Sequence, residues 1–320
     1  MPEAPSSADR TEDRKEPHES VQPDLKPPGR RPRALFLGLL VFGVIAALSI
    51  AAPIVAPHDP NHESIEGLAS DGGPLDPNAK FLLGTDGKGR DVLSRLIYGG
   101  RVTFFASTVS VGVATGIGLL IGLAGAAASA RVGGALMRAT DIGIAIPGLL
   151  LAAAITAVLG QGIASLTIGL SAIFWAPMAR VTYGQALIIK ERQFVEAARA
   201  LGAGTRRIMF REVFPHVVPV VAAYAALSVG WAALFESALG FLGVGVQEPT
   251  ASLGAMLGSG LGDYRAHPGL VAFPALYLGV LVTATTLIGE GLRQPRASER
   301  PLRRARSSKE VAIEYHRVAG

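Results

Sequence analysis

The chain alternates long apolar runs with short polar ones. Residues 34–56 (ALFLGLLVFGVIAALSIAAPIVA) carry no charge, and a membrane-spanning helix needs about 20 such residues. Pro53 and Pro57 close this first run. Further apolar runs cover residues 102–127, 141–159, 163–189, 217–239 and 270–289. The pattern predicts an all-α membrane protein with six transmembrane helices. Pro147 falls inside the third predicted span, Pro177 inside the fourth, and Gln161-Gly162 makes a tight turn between them. Arg131 and Arg138 mark a short loop before the third span. In the second span, Gly112 and Gly116, then Gly118 and Gly122, repeat at the spacing that lets helix backbones approach closely.

The polar stretches divide the rest. Residues 1–33 are rich in Pro and charge and have no aromatic residue; such a composition predicts a disordered tail. Arg30-Arg31-Pro32-Arg33 precedes the first apolar run, which we read as a retained helix, not a cleaved signal. Residues 57–101 hold Asp86, Lys88, Arg90, Asp91, Arg95 and Arg101 near the second span. At about 3 kcal/mol per charge at the bilayer centre, they belong outside the hydrocarbon, in a loop and an interfacial segment. Residues 102–290 form the transmembrane core, and 291–320 a basic tail.

Composition and charge sharpen this picture. The 320 residues are 49% hydrophobic and 17% charged, with mean hydropathy +0.38. The absence of cysteine excludes disulfides, thiolate metal sites and cysteine nucleophiles. The formal charge of +5 follows topology. Lys plus Arg number 7 in residues 1–33, 2 at 131–138, 6 at 190–211 and 8 after 290; the other side carries 5 at 80–101, none at 160–162 and one at 240–269. The positive-inside bias predicts that both termini are cytoplasmic, and it argues against nucleic acid as a partner.

Between the fourth and fifth spans, residues 194–219 read FVEAARALGAGTRRIMFREVFPHVVP. Phe194, Ala197, Ala198 and Leu201 fall on one helical face. Gly202-Ala203-Gly204 breaks the helix, Thr205 is positioned to cap a second one, and Ile208 and Met209 are its apolar contacts. The pattern fits a surface hairpin, an amphipathic helix on anionic lipid, or an element that inserts into a partner's groove.

Three motifs carry a family resemblance: LGTDGKGRDVLSRLIYGGR before the second span, ARVTYGQALIIKERQFVEAARALGA, and ESALGFLGVGVQEP after the fifth. In this order, over about residues 80–293, they resemble the second permease subunit of the dipeptide, oligopeptide and nickel ABC importers. The resemblance implies a type I ABC importer permease fold in a prokaryotic inner or plasma membrane. It makes residues 190–216 an EAA loop, with Glu196, Ala197, Ala198, Leu201 and Gly202 coupling the spans to a cytoplasmic ATPase. It implies a second homologous permease, two ATP-binding subunits that hold ATP and magnesium, and an extracytoplasmic substrate-binding protein. The implied cargo is a di- or oligopeptide, or alternatively nickel or a nickel chelate. Tyr183, Gly240 and Leu253 stand where the family usually has Arg, Ser and Trp.

Catalytic signatures do not emerge. In GTDGKGRD, Gly84 and Gly89 are followed by Arg90 and Asp91, so the phosphate-loop pattern fails. We expect no catalysis and no cofactor on this chain. The six His are scattered without metal-ligand spacing, and His216 and His267 read as interfacial. Asp141, Glu236 and Glu290 lie near span ends and read as structural carboxylates, and Arg180 reads as an anchor. Membrane carboxylates leave an ion-coupled secondary transporter as the rival class.

Overall fold

A computed structural model of the chain describes residues 31–293. The tails expected at either end therefore lie almost wholly outside the described residues. The elements are α1 (Arg31–Val55), α2 (Val92–Ala127), α3 (Ala130–Ala145), α4 (Gly148–Leu159), α5 (Ile163–Lys190), α6 (Gln193–Ala200), α7 (Thr205–Arg207), a π-helical turn (Ile208–Val213), α8 (Phe214–Phe241), α9 (Leu253–Gly260) and α10 (Gly269–Leu292). Among the described residues there are no strands.

Among the described residues five helices are long and apolar enough to cross a membrane. The third predicted span, expected as one helix over 141–159, is instead a broken pair, α3 and α4, bent by 83°. Pro147 explains the break. It disfavours helical geometry in the residue before it, and Ile146 is extended at φ −75°, ψ 128°. Arg131 and Arg138, expected in a loop, sit within α3. The second span also begins earlier than residue 102. Asp91 caps α2 by accepting from the Ser94 amide at 3.0 Å, so the helix starts at Val92. Its 36 residues extend about 54 Å, well past a hydrocarbon core of about 30 Å, leaving the charged first turns outside.

Small residues set the helix crossings. A Cβ at Gly118 would lie 2.4 Å from Met178 Cβ, and one at Gly122 2.6 Å from Thr182 Cβ, so α2 lies directly on α5. Gly112 and Gly116 have no atoms near the same position; of the two predicted glycine pairs, only the second packs within this chain. Gly38 brings α1 against Ala284 and Ile288 of α10, and Gly230 brings α8 against Val282 and Thr285. In lipid such close approach supplies the dispersion contacts that hydrophobic exclusion cannot. Gly240 and Leu253, two of the departures noted above, meet at the α8–α9 contact. Leu253 is fully buried, and a Cβ on Gly240 would lie 3.2 Å from Ser252 Oγ.

Contacts sort the connections onto two ends. At one end, Glu248 binds Lys88 and, at 3.1 Å, Arg90. There too Gln161 donates to the Gly243 carbonyl and His267 Nδ1 lies 3.0 Å from Asp76. The GTDGKGRD segment is the knot of this end. Asp86 accepts from the Lys88 and Arg90 amides and from Arg90 Nε, and Arg95 donates to the Pro60 carbonyl. The Lys88 hydrogen bond, assisted by Arg90, holds the Glu248 carboxyl below the usual carboxylate range. At the opposite end, Lys190 donates to the Ala126 carbonyl and caps α2.

Inside, Glu236 is not near a water-accessible span end. It is fully buried between α8 and α2, where Oε2 accepts from Thr103 at 2.6 Å and from Ser237 at 3.2 Å.

Candidate coupling site

The hairpin between α5 and α8 begins where α5 ends at Lys190. Two residues later Arg192 caps α6, its carbonyl accepting from the Val195 and Glu196 amides. Glu196 lies in the first turn, where the helix dipole favours a carboxylate. The C-terminus of α6 closes in a Schellman motif. The Ala203 amide donates to Ala198 and the Gly202 amide to Arg199, with Gly202 at φ +82°. Only glycine adopts that backbone readily, which gives the Leu201-Gly202 pair its physical reason. Gly204, not Thr205, is the N-cap of the next helix and makes no side-chain cap; Thr205 is already inside α7.

One side of the hairpin is anchored. Val195, Ile208, Met209 and Val213 are buried in one cluster with Ala186, Ile189 and Val217. Ile208 and Met209 were legible as apolar contacts; Val195 was missed. It lies off the Phe194–Leu201 face, so it stood outside the apolar pattern of that helix. The other side is free. Leu201 is 89% exposed, Phe194 is 41% exposed against the His216 ring, and Glu196 and Ala197 are exposed, with Ala198 half-buried. The structure therefore gathers Glu196, Ala197, Ala198, Leu201 and Gly202 onto one short hairpin. That surface is small-residue, apolar at its tip and acidic at its start, and none of the described residues covers it. Such an arrangement suits contact, not bond chemistry: a shallow knob that a concave partner can grip. Among the described residues no group of three or more His, Asp or Glu could hold a metal ion.

The remaining candidates lie elsewhere. His216 Nδ1 contacts the Glu212 carbonyl at 2.7 Å. Arg180 and Asp141 pair across α5 and α3 at 3.1 Å, a contact that sequence spacing did not suggest.

Comparison with known proteins gives the family. Residues 114–294, more than half the chain, match the family described as binding-protein-dependent transport system inner membrane component. The chain is 39% identical over 257 residues to the di/tripeptide transport system permease protein of Pseudomonas aeruginosa, covering 80% of this chain and 85% of that one. It is 33% identical to the oligopeptide transport system permease protein of Haemophilus influenzae, covering 89% and 91%. It is likewise 33% identical to the glutathione transport system permease protein of Pectobacterium atrosepticum, covering 81% and 85%. With five or six apolar helices long enough to cross a bilayer, this chain is a multi-pass inner-membrane protein belonging to the family of binding-protein-dependent transport permeases.

Proposed function

We propose that this chain is the transmembrane permease subunit of an ATP-driven importer of di- or oligopeptides. The observation that carries the reading is the exposed α6 hairpin, fixed to the spans by Val195, Ile208 and Met209 while Glu196, Ala197 and Leu201 stay free. The relatives support the cargo, since their names concern di- and tripeptides, oligopeptides and glutathione. In this reading a second permease chain completes the pathway. Two ATPase subunits bind ATP and magnesium, and their closure moves the hairpin through Glu196, Ala197, Ala198, Leu201 and Gly202. An extracytoplasmic binding protein delivers cargo to the end formed by residues 57–91 and 242–268. Both termini and the hairpin then lie in the cytoplasm, in accord with the Lys and Arg distribution. This chain performs no hydrolysis and needs no cofactor of its own.

The test is uptake of labelled di- and oligopeptides, and of nickel, by a deletion strain and its complemented parent, before and after ATP depletion. Loss of ATP-dependent peptide uptake on deletion is expected. Loss of nickel uptake alone would overturn the cargo, and uptake driven by an ion gradient would overturn the energy source. Glu196→Lys is expected to abolish uptake while the protein stays in the membrane; normal uptake by that variant would sink the coupling assignment.

A further inference from the structure

Arg180 and Asp141 form an ion pair at a depth where no charge should meet lipid. The α5 helix has 28 residues and is about 42 Å long, roughly 12 Å more than a hydrocarbon core. Arg180 stands ten residues before Lys190, about 15 Å along the axis. With α5 centred in the bilayer, that places it about 9 Å inside the core. Asp141 stands eleven residues into α3, about 16 Å from its start, at a matching height. The pair meets at 3.1 Å, and both side chains are 47% exposed on the surface of this chain.

A charge facing acyl chains at such depth is costly. Intramembrane charges instead face a protein interior or a water-filled cavity. The described residues leave the pair about half uncovered. Its neighbour along the α5 face, Gly184, has open space where a Cβ would stand. Among the described residues Arg180 has no second carboxylate partner.

We propose that the α3–α5 face at Arg180 and Asp141 lines the aqueous passage, and that this pair meets the ionised termini of a zwitterionic cargo as it crosses. The inference rests on the peptide reading for its ligand. Its location in the passage stands without that reading. A guanidinium offers a planar fork to a terminal carboxylate, and a carboxylate accepts from a terminal ammonium. At rest the two side chains satisfy each other. A cargo carrying both charges can exchange partners with them without leaving either one stranded in a low dielectric.

The chain's lack of cysteine makes the test clean. Single cysteines are placed at Gly184, Arg180, Leu40 and Leu276 in the importer assembled with its partner chains in proteoliposomes. Leu40 and Leu276 are exposed apolar positions on α1 and α10. A membrane-impermeant methanethiosulfonate reagent is then applied, with and without dialanine. Gly184→Cys leaves the ion pair intact, so it decides the matter even where Arg180→Cys fails to assemble. It is expected to react at least about tenfold faster than the α1 and α10 positions, because a thiol reacts only where water carries the reagent and supports the thiolate. Equal reaction rates would overturn the passage assignment and would mean that lipid or the second permease covers this face.

Dialanine is expected to slow the reaction, and dialanine blocked as its N-acetyl amide is expected to leave it unchanged. Arg180→Gln should abolish that difference, and Arg180→Lys, which keeps the charge but not the planar fork, should retain only part of it. Equal protection by free and blocked peptide would overturn the charge-matching role. Absence of peptide uptake in cells would count against the proposed cargo, and the Gly184→Cys reactivity would still report on the passage.

Discussion

Gly202 offers the sharpest handle on the hairpin. Its φ of +82° closes the Schellman turn after α6, and nothing lies within 4 Å of where a Cβ would project. Substitution therefore introduces no clash, and the whole penalty is backbone strain. For an L-residue with a Cβ, the left-handed region costs about 1–2 kcal/mol. That sum is a factor of about 5–30 in the equilibrium between closed and open turn. The global fold, held by the buried helix crossings, should not register it. Gly202→Ala is thus expected to insert and assemble normally, while the amides of Gly202 and Ala203 lose protection by about that factor. Gly202→Asn should fall between Ala and Gly, because Asn tolerates left-handed geometry. The assay is hydrogen exchange by mass spectrometry over residues 193–207 of the purified importer in nanodiscs, alongside ATP-dependent uptake. Equal exchange in the Gly, Asn and Ala proteins would refute the argument. A fall in thermal stability of the whole assembly would show that the strain is not local.

Four further outcomes follow from the structure. Val195→Ala removes two methyl-sized groups from a fully buried site and should cost about 1–3 kcal/mol, seen as a lowered unfolding temperature. Leu201→Ala, at an 89% exposed position, should leave that temperature unchanged while reducing ATP-coupled uptake. Gly118→Leu should prevent α2 from seating on α5 and deplete the protein from the membrane, whereas Gly112→Leu, facing open space, should leave this chain folded; equal yields of the two would contradict the packing. Glu248 has a depressed folded pKa, so the stability it contributes is present above the ordinary carboxylate range and is lost as pH falls through its folded value. Wild type should therefore exceed Glu248→Gln in thermal stability at pH 7 and converge with it in acid, and a constant gap across pH would show that the carboxylate charge is not what stabilises that end.

Much of this architecture is legible in sequence for a simple reason. In a bilayer every backbone polar group must be satisfied within its own helix, so an apolar run of sufficient length already specifies a span. The hairpin was equally visible, because glycine and charge interrupt the apolar pattern between Lys190 and Val217. Local pattern does not report who faces whom. Val195 stood outside the Phe194–Leu201 face, yet it is the buried residue that pins α6 to the spans. Arg180 and Asp141 looked like separate helix-end charges because 39 positions divide them in sequence; only the packing of α3 on α5 joins them. Glu236 looked like a span-end carboxylate because the apolar run stops near it, while the helix continues to Phe241 and α2 covers it with Thr103. The break at Pro147 was signalled by the proline itself, but its 83° angle depends on what α4 packs against.

The helix running from Thr205 to Phe241 has a mechanical consequence. Its 37 residues form one continuous element about 55 Å long, with the hairpin at one end and the Glu248 loop soon after the other. A partner that grips the hairpin is holding a lever that reaches across the whole membrane. A tilt of only about 5° moves the far end of such a rod by about 5 Å. The one irregular turn along its gripped end, the π-helical Ile208–Val213, is buried on its inner side by Ile208, Met209 and Val213, so displacement there passes into the spans and not into slack chain.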